Sequence, residues 1–260
     1  MSNQNSIFGI KLTDINISSL IEQIILCLSE KKTILIINYL NVHGVSLAKK
    51  HHDFREALNQ SDIVFCDGYG IKIAAKMLGA NVGERMTPPD WIDDLFKVAE
   101  KNSYRFYFLG DENAVIQKFV TMVKKKYPKL IIAGFHHGFF HKDIELSEQI
   151  VRDISTKTID VLIVGMGMPL QETWINKNKN HLNVKVIISV GALYRWYTHT
   201  EKRGPKLLTD NGFEWLTRLL MYPKNVWKRY VFEIPNFLYL IIAEKTRMII
   251  SNQDSSVKDK

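Results

Sequence analysis

The segment Ser61-Asp62-Ile63-Val64-Phe65-Cys66-Asp67-Gly68-Tyr69-Gly70 places a carboxylate where a short buried strand turns into a helix. Ser61 to Cys66 reads as the strand, and Gly68 and Gly70 supply the turn. Asp67 therefore stands at the strand's carboxyl end, the edge at which open α/β sheets hold their ligands. Further on, Glu84-Arg85-Met86-Thr87-Pro88-Pro89-Asp90-Trp91 brings a second cluster of charge to a turn. A carboxylate, a glycine turn and an arginine make a site that moves a proton beside an anion. An Asp-Gly pair alone is an ordinary cap or turn. The Asp-Gly-x-Gly spacing and the nearby Arg85 shift the reading toward chemistry.

Gly165-Met166-Gly167-Met168-Pro169-Leu170-Gln171-Glu172 follows an almost wholly apolar strand and opens a helix. Such a turn offers backbone N–H groups and a positive helix end to a phosphate. It is not a dinucleotide fingerprint, because Leu170 stands at the third glycine position. Gln171 and Glu172 follow closely enough to read a sugar or a base. Asp111, in Leu109-Gly110-Asp111-Glu112, reads as a helix cap. His136, His137 and His141 share a loop, but no Cys or carboxylate completes a usual zinc spacing. No Asp-x-Asp pair occurs in the chain. The expectation is a site with no metal and no cofactor, in which arginines and helix ends meet the charge of a leaving group.

The elements that hold these residues alternate. Ile7–Leu12, Thr33–Asn38, Asp62–Cys66, Arg105–Gly110, Leu130–Gly134, Asp160–Gly165 and Val184–Val190 read as strands. Amphipathic stretches lie between them: Ser18–Ser29, Gly44–Asn59, Ile71–Leu78, Pro89–Lys101, Ala114–Tyr127, Asp143–Thr156 and Leu170–Asn180. The pattern predicts an α/β fold, a Rossmann-like, mostly parallel sheet with helices on both faces. After Val190 the chain turns aromatic and basic, with Tyr194-Arg195-Trp196-Tyr197 and Lys202-Arg203-Gly204-Pro205. Helices are expected over Asp210–Met221 and Lys224–Phe232, with Pro235 interrupting the apolar run Ile234–Ala243. This makes a core over 1–195, a basic helical appendage over 196–250 and a frayed polar tail over 251–260.

The chain has 260 residues and a net charge of +8. Residues 195–247 hold ten Lys/Arg against five Asp/Glu, so the excess is concentrated in the appendage. A basic, aromatic and apolar end suits an anionic partner such as lipid headgroups, pyrophosphate or nucleic acid, and no nucleic-acid motif is present. Cys27 and Cys66 sit in apolar settings and read as thiols of a reduced compartment. The N-terminus has no signal-peptide pattern, and no apolar run is long enough to cross a bilayer.

Several ordered motifs give the chain a resemblance to the WecG/TagA/CpsF family of bacterial glycosyltransferases, over roughly residues 7–230. They are Asn38, Ser61-Asp62-Ile63-Val64 with Asp67-Gly68-Tyr69-Gly70, Glu84-Arg85 with Asp90, Tyr127-Pro128, and Gly138-Phe139-Phe140. Asp160 with Gly165 to Glu172, Val190-Gly191, Arg203-Gly204-Pro205 and Gly212 to Leu219 complete the set. The resemblance implies an inverting transfer from a nucleotide-sugar, UDP-linked, to a saccharide on a polyprenyl pyrophosphate, in cell-surface polysaccharide or teichoic acid synthesis. It implies that Asp67 is the general base. Asn38, Arg85, Gly165, Gly167, Gln171 and Glu172 would serve the donor and its phosphates. Arg203, Arg218 and Arg229 of the appendage would serve the acceptor's pyrophosphate. The implied setting is the cytoplasmic face of the cell membrane, with peripheral attachment; a homo-oligomer stays open.

Ile36, Leu170, Tyr194-Arg195 and Gly204 depart from the family pattern and are expected around the sugar pocket, which leaves the donor sugar open. A basic membrane- or nucleic-acid-binding module without catalysis explains the charge but leaves Asp67, Arg85 and Gln171 without a use. A nicotinamide-dependent oxidoreductase needs a glycine fingerprint after the first strand and an acidic residue for the ribose, and the chain has neither.

Overall fold

The computed structural model describes residues 4–30, 33–140, 142–202, 204–205, 208–209 and 214–258. Six parallel strands form the central sheet: β3 (Leu35–Leu40), β4 (Ile63–Cys66), β5 (Arg105–Gly110), β6 (Ile131–His136), β7 (Val161–Gly165) and β8 (Val186–Ser189). Their order across the sheet is β4-β3-β8-β7-β5-β6. Nearly every residue of β3, β4, β5, β7 and β8 is buried, as expected for parallel strands covered on both faces.

Alternate side chains divide the core. Ile37, Tyr39, Phe65, Phe106, Phe108, Ile163 and Ile188 point to one face, under α1 (Ile17–Ser29), α5 (Pro88–Asn102), α6 (Asn113–Lys126) and α9 (Leu193–Tyr197). On the other face Leu40, Val64 and Cys66 pack under α2 (Val42–Lys50), α3 (His52–Asn59) and α4 (Tyr69–Leu78). Beside them, Ile36, Leu162, Val164 and Ile187 pack under α7 (Ile144–Thr156) and α8 (Leu170–Asn178). The Rossmann-like α/β expectation is met.

Several elements differ from the sequence reading. The apolar run Ile7–Leu12 is not one strand. It is the heart of an antiparallel hairpin, β1 (Gln4–Ile7) and β2 (Ile10–Thr13), which forms a sheet of its own packed beside β4. Phe8 and Gly9 both take positive φ, 56° and 73°, as a tight two-residue hairpin turn requires. The expected helix Gly44–Asn59 breaks at His51, whose backbone is extended. Asp111 is not the helix cap: Glu112 holds that position, while Asp111 adopts φ 54° and pairs with Arg195. Both cysteines are free, and burial pushes the Cys66 thiol up to about 12.

The C-terminal region contains α10 (Glu214–Met221) and α11, which runs unbroken from Pro223 to Lys258. Pro235 does not end it. Pro235 and Val231 are both exposed, so the helix bond that the ring removes is lost on the side turned away from the core. One turn later Phe237, Leu240 and Ile241 are buried in the same cluster as α2 and α4 and hold the helix down. The helix also continues into the polar end that composition alone reads as frayed. Among the described residues no helix is long and apolar enough to cross a membrane.

Candidate active site

The carboxyl ends of β3, β4, β7 and β8 converge on a cavity of about 600 Å³. Asn41 and Val42 follow β3, Asp67 and Gly68 follow β4, Gly167 and Met168 follow β7, and Gly191 and Ala192 follow β8. The far wall is α11, through Glu233, Ile234, Phe237, Leu238 and Ile241.

Asp67 is positioned by strand pairing. Its N–H donates to the Leu40 carbonyl at 2.9 Å, which extends the β3–β4 ladder one residue past Cys66. Gly68 then turns the chain at φ 93°. A Cβ there would meet nothing within 4 Å, so it is the backbone conformation and not space that requires glycine. Asn41 Nδ2 donates to Asp67 Oδ2 at 3.1 Å, and Asn41 Oδ1 accepts from the Gly44 N–H at 3.0 Å. Asn41 thus caps α2 with one end of its amide and steadies the carboxylate with the other.

Asn41 was missed in the sequence, where Asn38 took its place. The reason is the length of β3. The strand runs to Leu40 instead of stopping at Asn38, so the residue that leaves the strand toward the site stands three positions later. Asn38 is buried, its Nδ2 donates to Ser61 Oγ at 2.8 Å, and it does not line the cavity. Replacing Asn41 by Ala removes a cap worth about 1 kcal/mol and a hydrogen bond to the carboxylate worth about as much. The expected outcome is a modest drop in melting temperature and a turnover about five- to tenfold lower. A rate within twofold of the parent's shows that Asp67 holds its position without Asn41.

Arg85 lines the cavity in a fixed pose. Its Nη2 lies 3.2 Å from Asp90 Oδ2, and its guanidinium sits over the Tyr69 ring at 5.5 Å. Asp90 also accepts from the Thr87 N–H and hydroxyl at 3.3 and 3.0 Å, which ties the start of α5 to the arginine. The loop is pinned to the strand that leads to Asp67 by the Met86 N–H, donated to the Cys66 carbonyl at 3.0 Å.

Gln171 and Glu172 are wholly buried and lie outside the cavity lining. Gln171 Oε1 accepts from the Gly167 and Gly191 N–H groups at 3.2 and 3.1 Å. Its Nε2 donates to Glu172 Oε1 at 2.7 Å and to the Tyr39 hydroxyl at 3.3 Å. The Gly167 N–H, which the sequence offers to a phosphate, is therefore already donated to this side chain. Gln171 joins the turn after β7 to the turn after β8 from beneath. Burial pushes the Glu172 carboxyl up to about 7, and the bond from Gln171 offsets only part of that. Gly165 also stays out of the cavity, packed against the Tyr194 ring.

The departures expected at the sugar pocket lie elsewhere among the described residues. Ile36 is in the core under the sheet, and Tyr194 is buried with its hydroxyl donating to the Ile163 carbonyl at 2.9 Å. Arg195 pairs with Asp111, Glu112 and Glu201. Leu170 borders a separate groove, and a Cβ on Gly204 would collide with Thr217. Arg203 lies outside the described residues, as do the side chains of Arg218 and Arg229, whose backbones belong to α10 and α11. His141 is likewise outside. Among the described residues no group of three His, Cys, Asp or Glu side chains is placed to hold a metal ion.

The family model "Glycosyl transferase WecG/TagA/CpsF family" matches residues 5–250. Relatives include the N-acetylglucosaminyldiphosphoundecaprenol N-acetyl-beta-D-mannosaminyltransferases of Staphylococcus aureus strains MW2 and COL. Each is 30% identical over 210 residues, which is 80% of this chain and 80% of theirs.

Proposed function

The chain belongs to the WecG/TagA/CpsF family of glycosyltransferases, and on that premise we propose a specific reaction. The enzyme moves a sugar from a nucleotide-sugar, UDP-linked, to a saccharide carried on a polyprenyl diphosphate, with inversion at the anomeric carbon and without a metal. The observation that carries this reading is the cavity itself, in which a steadied carboxylate and an anchored arginine share one chamber.

In this reaction the Asp67 carboxylate takes the proton of the acceptor hydroxyl. The acceptor oxygen attacks the anomeric carbon as the bond to the donor phosphate breaks, and the nucleotide diphosphate leaves with the electron pair. Arg85 meets the charge that develops on the departing phosphates. Arg203, Arg218 and Arg229 remain proposed partners of the acceptor's diphosphate. Gln171 is assigned a supporting role, holding the two glycine-bearing turns in place, and Glu172 holds Gln171.

The site is proposed to work at a membrane surface. The outer side of α11 exposes Val231, Phe232, Leu238, Tyr239, Ile242, Ile249 and Ile250. Ile73 and Met77 of α4 and Leu220 of α10 are exposed as well. Ile73 and Leu238 also line the cavity, so apolar surface runs from the chamber to the outside. Such a surface beside basic residues suits peripheral attachment, in keeping with an acceptor whose tail is a hydrocarbon.

The test is a transfer assay on the purified chain, with UDP-N-acetylmannosamine and prenyl-diphosphate-linked N-acetylglucosamine and the product read by mass and anomeric configuration. The relatives' names guide the choice of probes. The expected product is one sugar larger, inverted, and formed at an unchanged rate in excess EDTA. Loss of activity on chelation, restored by Mn²⁺ or Mg²⁺, overturns the metal-free mechanism. A retained configuration overturns the single displacement.

A further inference from the structure

The cavity holds a second pair of ionisable side chains that the mechanism above leaves unused. His43 stands in the first turn of α2 and Glu233 stands on α11, and both line the chamber. His43 Nδ1 lies 2.7 Å from Glu233 Oε1. An ionised carboxylate only accepts, so Nδ1 carries the proton. The ring makes no other hydrogen bond among the described residues, which leaves Nε2 to the chamber.

The placement of Glu233 is set by packing. Glu233, Phe237 and Ile241 are spaced by four residues and share one stripe of α11. Phe237 and Ile241 are buried against the body, with the Phe237 ring edge-on to Phe8 at 5.6 Å. The same stripe carries the carboxylate to the imidazole. On the opposite side, His43 follows Asn41 by two residues, and Asn41 holds Asp67. The helix start that carries the imidazole thus also steadies the proposed base, which itself follows β4.

We propose that Glu233 fixes the tautomer and orientation of His43 so that Nε2 accepts a hydroxyl of the acceptor sugar. His43 is then a binding residue for the acceptor, and Glu233 its positioning residue, delivered by the C-terminal helix. This rests on the reading that the acceptor saccharide enters the cavity. It adds a contact that forms only when α11 is docked.

Two measurements on the full chain test it. Imidazole ¹⁵N spectra at pH 8, with the His43 signals assigned by their loss in His43→Asn, should show the Nδ1–H form. In Glu233→Met the ring should move toward the Nε2–H form. The second measurement is affinity for geranyl-diphosphate-linked N-acetylglucosamine, beside affinity for UDP. Asn at this position keeps a donor for Glu233 and offers nothing to the chamber. His43→Asn should weaken acceptor binding about five- to tenfold and leave UDP binding within twofold. His43→Gln, which restores an acceptor atom near the Nε2 position, should recover most of the loss.

An Nε2–H ring in the parent overturns the proposal. So do unchanged acceptor affinity in His43→Asn, an equal loss for UDP, or a parent that does not bind the acceptor. A parent that binds the acceptor as described but transfers no sugar overturns the reaction assignment and supports the dyad.

Discussion

Replacing Asp67 by Asn lowers sugar transfer by about 10²-fold or more, the contribution of a positioned general base, while fold and nucleotide affinity stay as in the parent. The substitution is close to isosteric. The Asp67 N–H still donates to Leu40, and Asn41 still has an oxygen to donate to. What is lost is the group proposed to accept the proton as the acceptor oxygen attacks. Steady-state rates, a melting curve and calorimetric titration with UDP separate these effects. A folded variant with a near-parental rate reduces Asp67 to a turn residue, and the proton must then go elsewhere, with His43 the first group to test.

Removing the chain after Tyr222 has the second large effect, and it falls on stability as well as activity. The sequence suggests an appendage that can be cut from a self-sufficient core. The structure argues against that, because Phe237, Leu240 and Ile241 are buried with α2, α4 and the N-terminal hairpin. Burying each is worth about 1.5–3 kcal/mol, and even reduced for a compact unfolded state the three amount to roughly 5 kcal/mol. That is a large share of a typical domain's stability of about 5–15 kcal/mol. The expected fall in melting temperature is about 10–20 °C, with no detectable transfer, since a whole wall of the cavity goes with the helix. A truncated chain that melts like the parent and transfers at full rate shows that α11 is an accessory.

The sequence was most legible where one physical rule acts alone. Strands buried on both faces show as continuous apolar runs, and β4, β5 and β7 start and stop within a residue of where those runs do. Asp67 was legible for the same reason: a charged residue at the end of such a run has only the sheet's edge to occupy. Asn41 was lost to a boundary shift in β3, which no local signal contradicts. The hairpin at Phe8-Gly9 was hidden because its turn is written in backbone conformation and not in an Asn-Gly pair. The supporting role of Gln171 and the meeting of His43 with Glu233 were not legible at all. Both depend on contacts across long stretches of chain, 190 residues for the second pair.

The bond network of Gln171 has a consequence for any attempt to redirect this enzyme to other donors. A single carbonyl oxygen ties the loop after β7 to the loop after β8. Those two loops therefore behave as one casting, and reshaping either to admit a bulkier sugar distorts its twin. The adjustable surfaces are the ones that hang neither on this tie nor on Arg85, Ile73 on α4 and Leu238 on α11. A library aimed at new substrates should vary those two positions first and leave the glycine-bearing loops alone.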